Sequence, residues 1–471
     1  MTSAAIPASI ATVPRQEAAP PGLLDRERRG LTIGLLLTVT LIAFEALAVA
    51  TVMPNVKQDL GGLALYGWAF SGFLLATMVG IIAGGEQADR YGPARPFAIA
   101  LALFAGGLAI GGLAPSMLVL VLGRAMQGFG AGVLLSVIYA IIGRGYSETL
   151  RPQMFAAMSS AWIVPGLIGP AIAGVTADVL SWRLIFLGLL PLTAIGYLLT
   201  APALHHFVRI APDAPPDGRV RIALRLALGV ALVLGGATSG VWFVAAPMII
   251  AGAAIAWPAL SRLVPPGTMR AAAGVPAAAL TTGLLNMAFF GAEAFLPFLI
   301  VEVRDAPAVL AGLALTAATL TWTAGSWLQA RFDGRIQRQT LIASGLALVA
   351  VGVACTIPAT SDAVPVTITI PAWAIAGLGM GLGFPSVSLF VLAHAAPGSE
   401  GSSSASLKLM EVLGGALGAG IGGAIVAIAG DAWDARGIAL AFAIMSGAAA
   451  IGLLAARRIG HDRAMTLRAA A

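Results

Sequence analysis

Residues 226–261 read LALGVALVLGGATSGVWFVAAPMIIAGAAIAWPALS and contain no charged side chain. As one α-helix, at about 1.5 Å per residue, this stretch reaches about 54 Å. The hydrocarbon core of a bilayer is only about 30 Å thick. Gly235-Gly236-Ala237-Thr238-Ser239-Gly240 interrupts the run near its middle, and clustered glycine and small polar residues mark turns. The reading is therefore two membrane helices, 222–238 and 241–260, joined by a tight turn. The alternative is a hairpin that lies in the interface without spanning. Fourteen spans or twelve depends on that choice.

The rest of the chain has the same character. Of its 471 residues 59% are hydrophobic and 10% charged, with a mean hydropathy of +0.93, against about 25% charged in soluble domains. Apolar runs outside the pair fall at about 31–54, 64–85, 96–114, 117–142, 152–177 and 183–201 on one side. On the other they fall at 276–302, 308–330, 340–358, 366–394, 403–429 and 436–456. The 58 glycines suit close helix packing in lipid. Residues 1–30 form a polar tail ending in Arg26, Arg28 and Arg29. The first apolar run is too long for a signal-peptide core and is expected to be retained.

Charge placement tests the count. With the N-terminus cytoplasmic, inside segments hold 21 of the 27 Lys and Arg residues. Outside loops hold only Lys57, Arg183, Arg304 and Arg436, while Arg124 and Lys408 fall within spans. That asymmetry obeys the positive-inside rule, and removing one span would scramble it. Both termini are thus expected in the cytoplasm. Basic residues dispersed among short loops also argue against a nucleic-acid partner, despite the net charge of +6.

The halves echo each other. Thr32-Ile33-Gly34-Leu35-Leu36 precedes Glu45 much as Thr282-Gly283-Leu284-Leu285 precedes Glu293. A six-plus-six repeat places a substrate site between halves, near the midplane. The expected organisation is a tail (1–30), a six-helix bundle (31–201), a connector with two additional helices (202–275), a second six-helix bundle (276–456) and a tail (457–471).

Several motifs carry a resemblance. Gly85-Glu86-Gln87-Ala88-Asp89-Arg90-Tyr91-Gly92-Pro93-Ala94-Arg95 resembles the loop signature G-x-x-x-D-R-x-G-R-K of the major facilitator superfamily. It departs from that signature at Pro93-Ala94, and Arg95 stands one position late. A degenerate copy runs from Gly325 to Arg335. In the fourth span, Gly123-Arg124-Ala125-Met126-Gln127-Gly128 is similar to the family's buried arginine with Q-G. In the fifth, Pro165-Gly166-Leu167-Ile168-Gly169-Pro170-Ala171-Ile172-Ala173-Gly174 resembles the G-P-x-x-G-G pattern of exporters, with Pro165 and Ala173 replacing glycines. Ser181-Trp182-Arg183-Leu184-Ile185-Phe186 resembles the family's W-R-x-x-F. Glu45 through Met53-Pro54 is similar to a first-span acidic pattern of the fourteen-span drug:proton antiporters, with glutamate for aspartate.

The resemblance implies an all-α membrane protein of the major facilitator fold: two six-helix bundles plus two extra helices between them. It implies a conformational-switch loop at Gly85, Asp89, Arg90, Gly92 and Arg95. Asp89 is expected to accept from a neighbouring helix N-terminus; a purely topogenic loop is the plainer alternative. It implies an antiporter-type kink at Pro165, Gly169, Pro170 and Gly174, where simple helix packing is the alternative. Arg124 inherits a link to proton coupling, against a structural role bonding backbone carbonyls.

From the residues themselves, Glu45, Glu293 and Glu411 are carboxylates within spans. An acid taken out of water is penalised for its charge, and intramembrane acids are functional candidates. Glu411 lies one turn after Lys408 and can simply neutralise it; a partner such as Asn286 would satisfy a buried acid just as plainly. Phe70, Trp162, Phe289, Phe290 and Trp322 are candidate cavity aromatics that could face a lipophilic cation, though aromatics in spans more often pack.

No catalytic constellation, metal cluster or G-x-x-x-x-G-K-[ST] phosphate loop is present, so neither an enzyme nor an ATPase is expected. Cys355 is the single cysteine, and His205, His206, His394 and His461 all fall at predicted cytoplasmic ends. No cofactor is expected; a proton gradient would supply the energy. Together these readings predict a monomeric, proton-coupled exporter of lipophilic compounds, cations among them, in a bacterial cytoplasmic membrane. Its partners would be the bilayer, protons and a small molecule. Only two lysines stand among the 27 basic residues, which fits a GC-rich bacterial genome. Export of a lipid, siderophore or secondary metabolite is the nearest alternative; import and a non-transporting scaffold are more distant ones.

Overall fold

The computed structural model describes residues 22–26, 28–148, 150–204, 218–394, 400–429 and 435–460. The expectations for His205, His206 and His461, most of the connector 205–221 and most of both tails lie outside them. Among the described residues, fourteen helical segments are long and apolar enough to cross a membrane. The extra pair is real helix in both members: α8 is Arg219–Thr238 and α9 is Trp242–Leu263.

The N-terminal bundle comprises α1 (Arg29–Leu60), α2 (Tyr66–Tyr91), α3 (Ala94–Gly112), α4 (Met117–Gly145), α5 (Arg151–Val179), α6 (Arg183–Leu187) and α7 (Leu189–Leu204). The C-terminal bundle comprises α10 (Val275–Glu293), α11 (Leu296–Phe298), α12 (Ala308–Phe332), α13 (Arg338–Thr356), α14 (Thr369–His394), α15 (Glu400–Ala429) and α16 (Ala435–Ala456). Two of the expected spans are broken into shorter helical segments. Gly188 separates α6 from α7. In the expected span 276–302, α10 stops at Glu293, and Leu299–Val303 continues as a π-helix closed by Arg304 N–H to Leu299 O, 3.1 Å. Pro297 supplies no N–H, so one rung of the ladder is missing here.

Several helices also outrun their apolar cores. α1 continues through Pro54 to Leu60 and carries Lys57 and Asp59 at its end. The turn after α2 is tight because Gly92 sits at φ +75°, a conformation that favours glycine. α4 starts at Ser116, whose hydroxyl accepts from the Val119 N–H.

Call the end with the α2/α3 and α4/α5 turns, where Arg90, Arg95, Arg144 and Arg151 stand, the basic end. The bundles meet through the opposite, far halves of their helices. A Cβ on Gly67 of α2 would lie 2.6 Å from the Gly423 Cα of α15, and one on Gly174 of α5 would lie 2.9 Å from the Ala308 O of α12. Ser71 Oγ donates to Ala416 O at 2.9 Å, and Thr316 Oγ1 to Leu167 O at 3.2 Å. Lys57 Nζ binds Glu302 Oε2 at 2.7 Å, and Tyr66 Oη donates to Ala294 O at 3.3 Å. These approaches close the far end.

The hairpin α8–α9 lies over only one of the two seams. α8 touches α2 of the first bundle and α15 of the second. Trp68 Nε1 donates to Thr238 Oγ1 at 3.4 Å, and a Cβ on Gly420 would meet Leu234 Cδ1 at 2.4 Å. α9 packs chiefly on α8.

Candidate functional site

Glu45 stands halfway along α1, flanked along the helix by apolar residues, and it is fully buried. Its Oε1 pairs with Nη1 of Arg124 from α4, itself 2% exposed. The same guanidinium donates to Gln127 Oε1 at 3.1 Å and, through Nε, to Ala69 O at 3.1 Å. Its plane lies 4.2 Å from the Phe73 ring centroid. A charge at this depth costs at least about 2.5 kcal/mol when alone, and the four contacts offset that cost from α1, α2 and α4. Arg124 thus binds both a carboxylate and a backbone carbonyl. Glu45 Oε2 and Gln127 Nε2 are buried and without a hydrogen-bond partner among the described residues.

Glu293 ends α10 and is 6% exposed. It makes no hydrogen bond and no ion pair among the described residues. Asn286 does not serve it: its Nδ2 donates to Thr282 O at 2.8 Å, and its Oδ1 is buried unpartnered. Phe289 and Phe290 precede Glu293 by four and three positions, on the same side of the helix. Phe289 meets Phe290 and Trp322 edge-on, with centroids 5.3 and 5.5 Å away, and stacks on Trp373 at 5.0 Å. Trp322 also reaches Phe290 at 6.3 Å and Phe384 at 6.2 Å.

The five candidate aromatics therefore do not form one group. Phe289, Phe290 and Trp322 do cluster. Phe70 instead contacts Tyr66, centroids 5.8 Å apart, in the seam that closes the far end. Trp162 is 42% exposed beside the exposed Ile163 and Val164 on α5 and joins no ring pair among the described residues. Glu411 is held by Lys408 Nζ at 2.6 Å, the neutralising pair that their spacing allows.

The loop motif is placed differently from expectation. Asp89 pairs with Arg144 at the end of α4, not with a helix N-terminus, and Arg144 also donates to Ala88 O at 3.3 Å. A guanidinium at that helix end offers full charge where an N-terminus offers only a fraction. Gly84, one residue before Gly85, lets α2 meet α4 closely: a Cβ there would lie 2.8 Å from Val133 O. Arg90 and Arg95 flank the Tyr91 ring at 5.5 and 5.9 Å. In the degenerate copy, Asp333 takes two hydrogen bonds from Arg338, 2.9 and 3.2 Å.

The Pro/Gly segment of α5 remains helical through Pro165 and Pro170. Its small residues face the other bundle. A Cβ on Gly166 would sit 2.2 Å from Thr319 Cγ2, and one on Gly312 would sit 2.5 Å from Pro170 O. Gly169 instead faces Phe44 of α1 at 3.3 Å. Trp182 donates to Asp59 at 3.1 Å and Arg183 pairs with the same carboxylate, tying α6 to the end of α1.

Sequence reading missed Gln127 and Phe73 as partners of Arg124, Arg144 as the partner of Asp89, and the pair Lys57–Glu302. Gln127 sits three residues after Arg124, a helical neighbour that could have been named. The others are long-range pairs with no local signal.

The model of the Major Facilitator Superfamily matches residues 35–419. A protein of Mycobacterium tuberculosis named as a probable multidrug-efflux transporter is 28% identical over 463 residues, covering 92% of this chain and 94% of its own. The puromycin resistance protein of Streptomyces alboniger is 28% identical over 435 residues, covering 87% and 84%. Among solved structures, a peptide transporter in complex with sulfate superposes with a TM-score of 0.67 at 16% identity, over 92% of this chain and 94% of its own. The human organic anion transporter TETRAN superposes with 0.61 at 16%, over 92% and 99%. At those identities the two structures speak for the fold alone. Paired helical bundles and a family match over most of its length make this chain a multi-pass membrane protein that belongs to the Major Facilitator Superfamily.

Proposed function

We propose that this protein exports lipophilic compounds, cations among them, in exchange for protons. The observation that carries the reading is Glu293, a buried carboxylate with no protein partner among the described residues, one turn from Phe289 and Phe290. A carboxylate beside aromatic faces suits either a proton or a lipophilic cation, and not both together. The names of the relatives, multidrug efflux and puromycin resistance, support a drug-like substrate.

With the basic end in the cytoplasm, as the Lys and Arg distribution favours, the closed far end faces outward. Substrate then binds from inside. Opening the far end lets an outside proton neutralise Glu293 and release the substrate outward. Return of the proton inside resets the carboxylate. Glu45–Arg124 serves as the second charged element, whose pairing changes between the two arrangements. The switch loop Gly85–Arg95 and the α5 segment Pro165–Gly174 act at the moving interfaces. The membrane is the bacterial cytoplasmic membrane, and the proton gradient is the energy source.

The test is proton movement in proteoliposomes with tetraphenylphosphonium added on the basic-end side. Cation-triggered proton flux in the wild type, absent in Glu293→Gln, is the expected result. Equal flux in Glu293→Gln would remove that residue from the exchange.

A further inference from the structure

A groove outside the bundle interface lies between α8 and α9 at their basic ends. The two helices touch where they cross: a Cβ on Gly229 would lie 2.6 Å from Ala256 N, and one on Gly252 would lie 2.5 Å from Gly229 O. Below that contact they part around a groove of about 380 Å³. Ile222, Leu228, Ala254, Ile255 and Pro258 stand in its apolar walls, and Arg225 and Arg262, one from each helix, belong to the same lining. Neither arginine makes an ion pair or side-chain hydrogen bond among the described residues.

A lone arginine at the end of a membrane helix needs no special explanation, because its head simply reaches the interface. Two that line one groove from different helices place their forked donors where a single phosphate can take both. The walls add a second requirement. A free phosphate gains nothing from Leu228 and Ile255, whereas an acyl chain does. Zwitterionic lipid carries its own ammonium beside the phosphate and has less use for two guanidinium groups.

We propose that the α8–α9 groove is a binding site for one anionic phospholipid, its phosphate between Arg225 and Arg262 and an acyl chain along Leu228 and Ile255. The site is separate from Glu293 and does not depend on what the protein transports. Because α8 also contacts α2 and α15, the bound lipid sits on the element that bridges both bundles.

Native mass spectrometry of the purified full-length protein tests this, with phosphatidylglycerol, phosphatidylcholine or inorganic phosphate added. One phosphatidylglycerol is expected to survive activation that strips phosphatidylcholine. Arg225→Gln and Arg262→Gln should each lower its retention about fivefold, the equivalent of about 1 kcal/mol per basic residue near a bilayer surface. The double variant should lose it. Ala254→Trp, which fills the groove and keeps both charges, should lose it as well, so the result does not hang on how the double variant folds. Arg331→Gln, at the basic end of α12, should change nothing. Retention undiminished from the wild type in both the double variant and Ala254→Trp would mean ordinary annular lipid and overturn the proposal. Inorganic phosphate that binds alone and displaces the lipid would overturn it in favour of a free anion.

Discussion

Glu45 and Glu293 lie midway along the first span of their respective halves, yet the protein surrounds them differently. Glu45 is locked to Arg124, which is itself fixed by Gln127, Ala69 O and the Phe73 ring. Glu293 is almost as buried and has aromatic neighbours in place of a cation. A buried carboxylate with an arginine is a structural asset whose removal leaves an uncompensated charge. A buried carboxylate without one carries a standing cost that a ligand or proton can relieve. The same residue type, in the first span of each half, thus has a buried cation beside it in one half and none in the other.

The comparison can be broken most directly at its cation. Arg124→Met strands Glu45 and should cost roughly 3–5 kcal/mol of stability, read as a large drop in thermal midpoint in detergent. Adding Glu45→Gln to that variant should recover much of the loss; failure to recover would show that Arg124 works mainly through Ala69 and Phe73. Glu45→Gln alone leaves Arg124 its carbonyl, amide and ring contacts, and about 2 kcal/mol is expected by the same melt.

Lys57→Gln probes the seam between the halves. Its partner Glu302 has one buried oxygen, Oε1, already without a hydrogen bond, so the pair is worth about 1 kcal/mol. That loss should raise far-end opening about fivefold, measured as faster labelling of Ser71→Cys, buried in the seam, in a Cys355→Ser background. The smallest effect on stability belongs to Glu293→Gln. Within about 0.5 kcal/mol of the wild type, it should nevertheless abolish cation-triggered proton flux. A melt that drops by several kcal/mol instead would make Glu293 as structural as Glu45 and erase the contrast.

Much of this was readable along the chain. Long apolar runs, the glycine break at 235–240 and the positions of 27 basic residues led to fourteen spans, because lipid demands continuous helix. The DR loop, the buried arginine and the α5 Pro/Gly segment pointed to the family. Pairing was not readable. Arg124 meets a glutamate 79 positions away and Lys57 one 245 positions away, and neither periodicity nor composition encodes which helices become neighbours. The break after Glu293 was signalled by Pro297, but a uniform apolar run hid it. Trp162 stands apart from the ring cluster, because an aromatic in a span says nothing about which neighbour its side of the helix meets.

The hairpin α8–α9 has a mechanical consequence. By gripping α2 and α15 together it burdens one side of the molecule and leaves the α5/α12 side bare. Two bundles that rock freely would swing symmetrically, like a clam. With one side strapped, rocking would swing them like a door, with the jamb at α2/α15 and the widest gap beside α5 and α12.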